Sequence, residues 1–353
     1  MTTLAQETET FCFRLEFTDD EAKPVASETL RLADFHRAIS ETHFTAFRQG
    51  LMPSFNPVPE QARIEPLFRS AGPPARTDGF RVTIARPGGE EYCQEFGAGY
   101  LAARASRQQK RIKREHDWPA EKSLYFMLCA YLDIVPPEQP RRGLVDAGPD
   151  QVSLQLGTRG HADFGVTATW DEPQPADMPV LVGQSLLAEA CNEAAEHPQR
   201  EIGGLVLGTL HRDPTSGALF LEITCLVSGE GTTPATATSV TFTPDSFARA
   251  RDMIRLRSRS GTPEMIVGWY HSHPFRFCEQ CPLPAPPECL QKVLFYSADD
   301  LNVMESAFYQ PDHVGLLAAV EPRITPAIGH LPVKLFGWRN GETVARGFEV
   351  ITD

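Results

Sequence analysis

The sequence predicts an α/β (α+β) protein built in two parts. Three observations carry this. Strand-like alternation and helical spacing both recur along the 353 residues, which at roughly 100–200 residues per domain makes two domains the expectation. Many strands are joined by tight turns and not by long crossovers, so the pattern is no regular βαβ series. Hydrophobic residues at 41% and charged residues at 22% match a folded globular chain with enough apolar side chains for a core in each part.

The elements follow in order. Phe11–Phe17 alternates as a strand and Leu30–Gln49 has helical spacing. The proline-bearing stretch 53–77 reads as an extended connection. Phe80–Ala85 and Glu91–Phe96 flank Pro-Gly-Gly at 87–89, a hairpin signal. Tyr100 to about Glu115 reads as a helix, and the apolar segment Leu124–Ile134 as a further core helix. Residues 135–151, with four prolines and two glycines, resemble a linker. Val152–Trp170 alternates, and a Pro/Asp-rich break follows at 171–179. Beyond Val180 a helix is expected at Leu186–Glu196. Strands are expected at Ile202–Leu210, Leu219–Val227, Val240–Thr243 and Met265–Tyr270. Pro244 and Asp245 open a helix to about Arg257. Leu301–Tyr309 reads as a helix, and Val314–Val320, Val333–Trp338 and Val344–Ile351 as strands. The expected domains are therefore 1–150, an α+β part of no recognised type suited to substrate or partner recognition, a linker with a strand at 151–177, and 178–353.

Charge and cysteine content narrow the function classes. The net charge of −13 argues against general nucleic-acid binding. It is concentrated after residue 150, where 14 Lys/Arg face 24 Asp/Glu, and such a domain would favour a basic tail on its substrate. No apolar run approaches the ~20 residues of a membrane helix, and the first residues lack the features of a secretory signal. A reducing, cytoplasmic setting is expected, with five of the eight cysteines as isolated buried thiols. Arg104, Arg107, Arg111 and Arg114 share one helical face, readable as a solvated surface or as a docking site for an acidic partner or for nucleic acid.

The sharpest chemical signal is Gly268-Trp-Tyr-His271-Ser-His273-Pro274. Histidines two apart at a strand end point to one face and can share a metal ion. Downstream, Ser297-Ala-Asp-Asp300 opens a helix and offers a carboxylate from Asp300. Upstream, Glu201 precedes the strand Ile202-Gly-Gly-Leu and is placed to act as a base. Three protein ligands with one open position mark a catalytic zinc site, whereas a structural zinc is closed by four. No His-Glu-x-x-His is present.

Glu201, then His271-Ser-His273-Pro274, then Ser297-x-x-Asp300 resembles the JAMM (MPN+, JAB/Mov34-type) metalloprotease family over roughly residues 178–350. The resemblance implies a curved mixed β-sheet flanked by helices. It implies a catalytic Zn2+ on His271, His273 and Asp300, Glu201 as general base, and Ser297 as a donor to the oxyanion. It also implies hydrolysis of a peptide or isopeptide bond at the C-terminus of a ubiquitin-like protein. Bacterial members accompany activating and conjugating enzymes in ubiquitin-like conjugation operons, some of them antiphage, and this chain is similar to those in kind. Two other readings stand beside it, a non-catalytic MPN scaffold and a processing protease for a sulfur-carrier protein.

The chain departs from the family between the second histidine and the aspartate, where positions 274–299 form a longer span than the family's pattern leaves. The extra Cys-rich segment, at 275–296, carries Cys278, Cys281 and Cys289. Three readings of it are open: a second, structural zinc with a fourth ligand from elsewhere such as His313, a proline-stiffened loop whose cysteines merely cluster, and redox gating by a Cys278–Cys281 disulfide.

Overall fold

The computed structural model describes residues 11–69, 76–119, 122–132, 154–229, 242–257, 263–274, 292–319 and 332–352. The chain divides into two compact units, the first holding Met1–Phe47 and Leu51–Ser153, the second Arg48–Gly50 and Leu154–Asp353. Among the described residues no helix is long and apolar enough to cross a membrane.

The first unit runs β1 (Phe11–Thr18), β2 (Pro24–Thr29), α1 (His36–Arg48), β3 (Arg63–Phe68), β4 (Thr77–Ala85), β5 (Glu91–Gly97), α2 (Ala102–Glu115) and β6 (Tyr125–Leu132). Its two antiparallel sheets have the orders β2-β1-β6 and β3-β4-β5. Alternation in β1 sends Phe13, Leu15 and Phe17 inward. They join a core in which Phe80 lies 4.9 Å from Phe35, 5.1 Å from Tyr100 and 5.4 Å from Phe96, ring centre to ring centre.

Four expectations change here. Of the helix expected at Leu124–Ile134, the described residues form none: Tyr125–Leu132 is β6, paired residue for residue with β1, as in Leu15 opposite Leu128. A short apolar run fits a strand or a buried helix equally well, and pairing with β1 decides it. The extended connection at 53–77 contains β3, an edge strand on which Pro66 is tolerated. The five isolated cysteines are free thiols, but only Cys129 and Cys191 are buried, and Cys93 is exposed on β5. The basic face of α2 is partly neutralised from within, because Arg104 binds Glu28 and Asp34 and Arg111 pairs with Glu115.

The second unit runs β7 (Val166–Trp170), β8 (Val180–Gly183), α3 (Gln184–Glu196), β9 (Gly203–Arg212), β10 (Leu219–Ser228), α4 (Pro244–Arg257), β11 (Met265–His273), α5 (Ala298–Ala307), β12 (Val314–Ala319), β13 (Val333–Arg339), β14 (Glu342–Arg346) and β15 (Phe348–Ile351). The strands form one mixed sheet in the order β14-β13-β12-β11-β9-β10-β8-β15-β7. The β11/β12, β8/β10 and β8/β15 pairs are parallel and the rest antiparallel. Central β9 is buried almost throughout, as a strand covered on both faces must be. The fold class is α/β, a mixed sheet flanked by helices. Among the described residues of the alternating stretch 152–170 only Val166–Trp170 is a strand, and it closes one edge of this sheet. The single strand expected at Val344–Ile351 is two, which leave for opposite regions of the sheet. In the strand expected at 240–243, residues 240 and 241 lie outside the described set, and Thr243 accepts from Ser246 N at the start of α4.

Two buried groups bear on stability. Asp177 receives a bidentate contact from Arg339, at 2.9 and 2.7 Å. Burial alone would raise its pKa, but Arg339 and Arg346 hold it below the usual carboxylate range. In the first unit both ring nitrogens of His43 are buried without a partner among the described residues. Burial lowers its pKa from 6.5 to about 4. The unfolded chain therefore takes up a proton near pH 6.5 that the folded one refuses until about pH 4. The stability that this neutral histidine permits is present above pH 6.5 and is lost as the pH falls toward 4. Urea unfolding of the first unit should weaken by about 2 kcal/mol between pH 7 and 4.5 from this residue. In His43→Leu that part of the pH dependence should vanish.

Candidate metal centre

The ligand-bearing end of β11 is aimed by its neighbours. A register shift against β9 between Ile266 and Gly268 bulges the strand just before the motif. Gly268 sits so close to β12 that a Cβ there would lie 1.8 Å from the Val314 carbonyl oxygen. After the bulge the period of two places Trp269, His271 and His273 on one face and Tyr270 and Ser272 on the other.

On the first face, α5 supplies the third group. Met304 and Asp300 are four residues apart and share one helix face. The Trp269 indole N–H donates to Met304 Sδ at 3.1 Å, and one step along strand and helix His271 meets Asp300. His271 Nε2 lies 3.3 Å from His273 Nε2 and 3.2 Å from Asp300 Oδ1, and His273 Nε2 lies 3.6 Å from Asp300 Oδ2. All three ligand atoms fall within 4.8 Å of one another. Tetrahedral zinc, with bonds of ~2.0–2.1 Å, separates its ligand atoms by about 3.4 Å, so this donor set fits such an ion.

The tautomers and charges fit as well. His273 Nδ1 donates to the Val293 carbonyl at 2.9 Å, which leaves the Nε2 lone pair facing its partners. The His271 ring is fully buried and stacked on Trp269 at 4.3 Å. Burial lowers its pKa and favours the neutral, ligating form. Burial works against ionised Asp300, yet bonds from His271, His273 and Ser297 hold its carboxyl far below the usual range. Burial would likewise lower His273, but Asp300, the Val293 carbonyl and Glu201 raise it. A pocket that favours a proton on this ring favours a cation.

Glu201 stands at the mouth of β9 with Oε1 3.9 Å from His273 Nε2. Its backbone is tied to the motif one residue on: Ile202 N–H donates to Ser272 Oγ at 3.1 Å, and Ser272 N–H to the Ile202 carbonyl at 2.8 Å. The carboxyl is buried, and burial raises its pKa to about 7 against the opposing pull of His273. A carboxyl poised near neutrality can take up a proton and return it. Ser297 is the N-cap of α5: its Oγ accepts from Asp300 N–H at 3.2 Å while Asp300 Oδ2 accepts from Ser297 N–H at 2.7 Å. Capping uses a lone pair of the hydroxyl, and the Ser297 side chain also bonds the Asp300 carboxylate.

The structure thus gathers Glu201, His271, His273, Ser297 and Asp300, with Asp299 exposed beside them. Cys278, Cys281 and Cys289 lie outside the described residues. His313 is half-buried, its ring centre 5.9 Å from that of Phe308. Sequence reasoning missed four participants: Trp269, Ser272, the Val293 carbonyl and Phe295. Phe295 is 52% exposed, with its ring centre 5.5 Å from that of His273. Strand alternation could have separated Trp269 from Ser272, but a backbone carbonyl leaves no trace in side-chain identity.

Residues 178–281 match the family described as JAB1/Mov34/MPN/PAD-1 ubiquitin protease. This stretch is similar to the MPN/JAB domain. It includes Glu201, His271 and His273, while Ser297 and Asp300 lie beyond the matched residues. Among solved structures, the chain is similar to the solution structure of protein DSY2949 from Desulfitobacterium hafniense. The two are 19% identical, the likeness covers 49% of this chain and 92% of that one, and the TM-score is 0.29. No curated protein matches the chain.

The capping box gives Ser297 a structural duty that can be measured. Ser297→Ala should cost about 1 kcal/mol through loss of the N-cap, read as a lower urea midpoint. Ser297→Asp, which caps equally well without a hydroxyl proton, should restore that midpoint.

Proposed function

We propose that this MPN/JAB domain, completed by Ser297 and Asp300, is a zinc-dependent peptidase. It would cleave the peptide or isopeptide bond that follows the C-terminus of a ubiquitin-like protein. The observation that carries the reading is the convergence of two imidazole Nε2 atoms and one carboxylate, with the Glu201 carboxyl 3.9 Å from His273. The family includes metalloproteases and inactive MPN members. The donor set and the adjoining buried acid support the catalytic kind over a scaffold.

His271, His273 and Asp300 would hold the zinc. Bound zinc supplies Lewis acidity, acidifying a water and polarising the scissile carbonyl. Glu201, raised toward neutrality by burial, takes the proton from the attacking water and delivers it to the leaving amine nitrogen. The Ser297 hydroxyl turns its proton from the Asp300 carboxylate to the oxygen on which negative charge develops. Ser272 keeps Glu201 beside the histidines by holding Ile202. Phe295 offers an exposed aromatic surface beside His273 for the residues flanking the scissile bond.

The substrate assignment rests on the family's description as a ubiquitin protease. The reaction is removal of the modifier from a conjugate or processing of its precursor, in the cytoplasm. Cognate activating and conjugating enzymes, as in a bacterial conjugation operon, would be its functional partners.

The test is cleavage of a linear fusion of a ubiquitin-like protein by the full chain. Glu201→Gln should lose at least ~100-fold in kcat while still binding one zinc per chain. His273→Ala should lose the zinc itself, and a chelator should abolish wild-type cleavage. Undiminished cleavage by Glu201→Gln would overturn the mechanism.

A further inference from the structure

The reverse face of the ligand strand carries a second constellation. Tyr270, next to His271 on β11, is fully buried and points away from the metal centre. Its hydroxyl donates to Glu193 Oε2 on α3. The same carboxylate accepts, through Oε1, the hydroxyl of Ser228 at the end of β10. Tyr270, Gly204 and Ser228 form one cross-strand row, since Gly204 is in register with both of the others.

The middle of that row explains the second glycine of the Gly203-Gly204 pair. A Cβ on Gly204 would lie 2.6 Å from Tyr270 Cε1, 2.9 Å from its hydroxyl oxygen and 2.2 Å from the Val227 carbonyl. Only a residue without a side chain lets the Tyr270 ring cross β9 to reach α3 and β10. The row lies one residue before the pairing of His271 with Gly203, and three residues after Glu201.

We propose that Glu193 is a positioning residue for the metal centre, acting through Tyr270. Its carboxylate clamps β11 to β10 across Gly204 and so sets where His271 and His273 stand relative to Asp300 and Glu201. This rests on the metal-centre reading above. His271 Nε2 faces Asp300 and His273, and its Nδ1 has no partner among the described residues, so no hydrogen bond from outside the donor set orients that ring. A metal site tolerates little error in ligand placement, and partners behind the ligands are commonly worth 10–100-fold in metal affinity or activity. Ser272, on the same reverse face, extends the arrangement to Glu201 through Ile202. Ligands thus occupy one face of β11, and the groups that position them the other.

The experiment compares wild type, Glu193→Gln and Tyr270→Phe as full chains loaded with Co2+. It reads cobalt affinity by chelator competition, the visible absorption bands of the bound ion, kcat and KM on the fusion substrate, and the thermal midpoint. Glu193→Gln keeps the shape of the side chain and serves if Tyr270→Phe does not fold. Both variants should bind cobalt at least ~10-fold more weakly, with altered bands and with kcat lowered while KM stays within about twofold. Cobalt affinity and bands equal to wild type, with only the thermal midpoint lowered, would reduce the clamp to a structural contact and overturn the proposal. A wild type that binds no cobalt would instead overturn the metal-centre reading on which it rests.

Discussion

His271 Nε2, His273 Nε2 and the Asp300 carboxylate are held within 3.6 Å of one another in a place largely closed to water. Electron-rich groups so placed repel unless a proton or a cation lies among them. Desolvation raises the cost, since a buried carboxylate needs a compensating charge. The surroundings accept this strain to keep three donors aimed at one point. Trp269 stacks on His271, Met304 receives the indole N–H, Val293 orients His273, and Ser297 ties down Asp300.

That requirement explains the local architecture of β9, β10, β11 and α5. The bulge before Gly268 and the close approach of β12 aim the strand end. The absence of a side chain at Gly204 lets a buried tyrosine cross from one strand to a helix behind the sheet. The capping box of α5 serves two ends, since the Oδ2 that caps Ser297 belongs to the carboxylate that faces both histidines. The helix cap and the donor cluster therefore share atoms here.

Legibility in the sequence varied with the physics of each element. Strands with strict alternation, such as Phe11–Phe17, and a helix with a marked start, such as Pro244–Arg257, could be read directly. Leu124–Ile134 could not, because an eight-residue apolar strand and a core helix differ only in which neighbour satisfies the backbone, and that neighbour, β1, lies more than a hundred residues away. The strand β3 was hidden by Pro66, acceptable only on an edge. The basic face of α2 looked free because Glu28 and Asp34, which bind Arg104, come from distant sequence.

By itself the sequence determined the donor types, and resemblance to a family motif grouped them. A His-x-His at a strand end, a capping Ser-x-x-Asp and a glutamate before a glycine-bearing strand are local patterns whose chemistry follows from side-chain identity. The tertiary structure alone decided how those groups meet. It set the distances among Nε2 and carboxylate atoms, the burial that brings Glu201 to about neutrality, and the tautomer imposed on His273 by a backbone carbonyl. It also decided that Tyr270 and Glu193 stand behind the ligands. These depend on desolvation and on contacts between segments far apart in the chain, and neither is encoded in the spacing of residues along one strand.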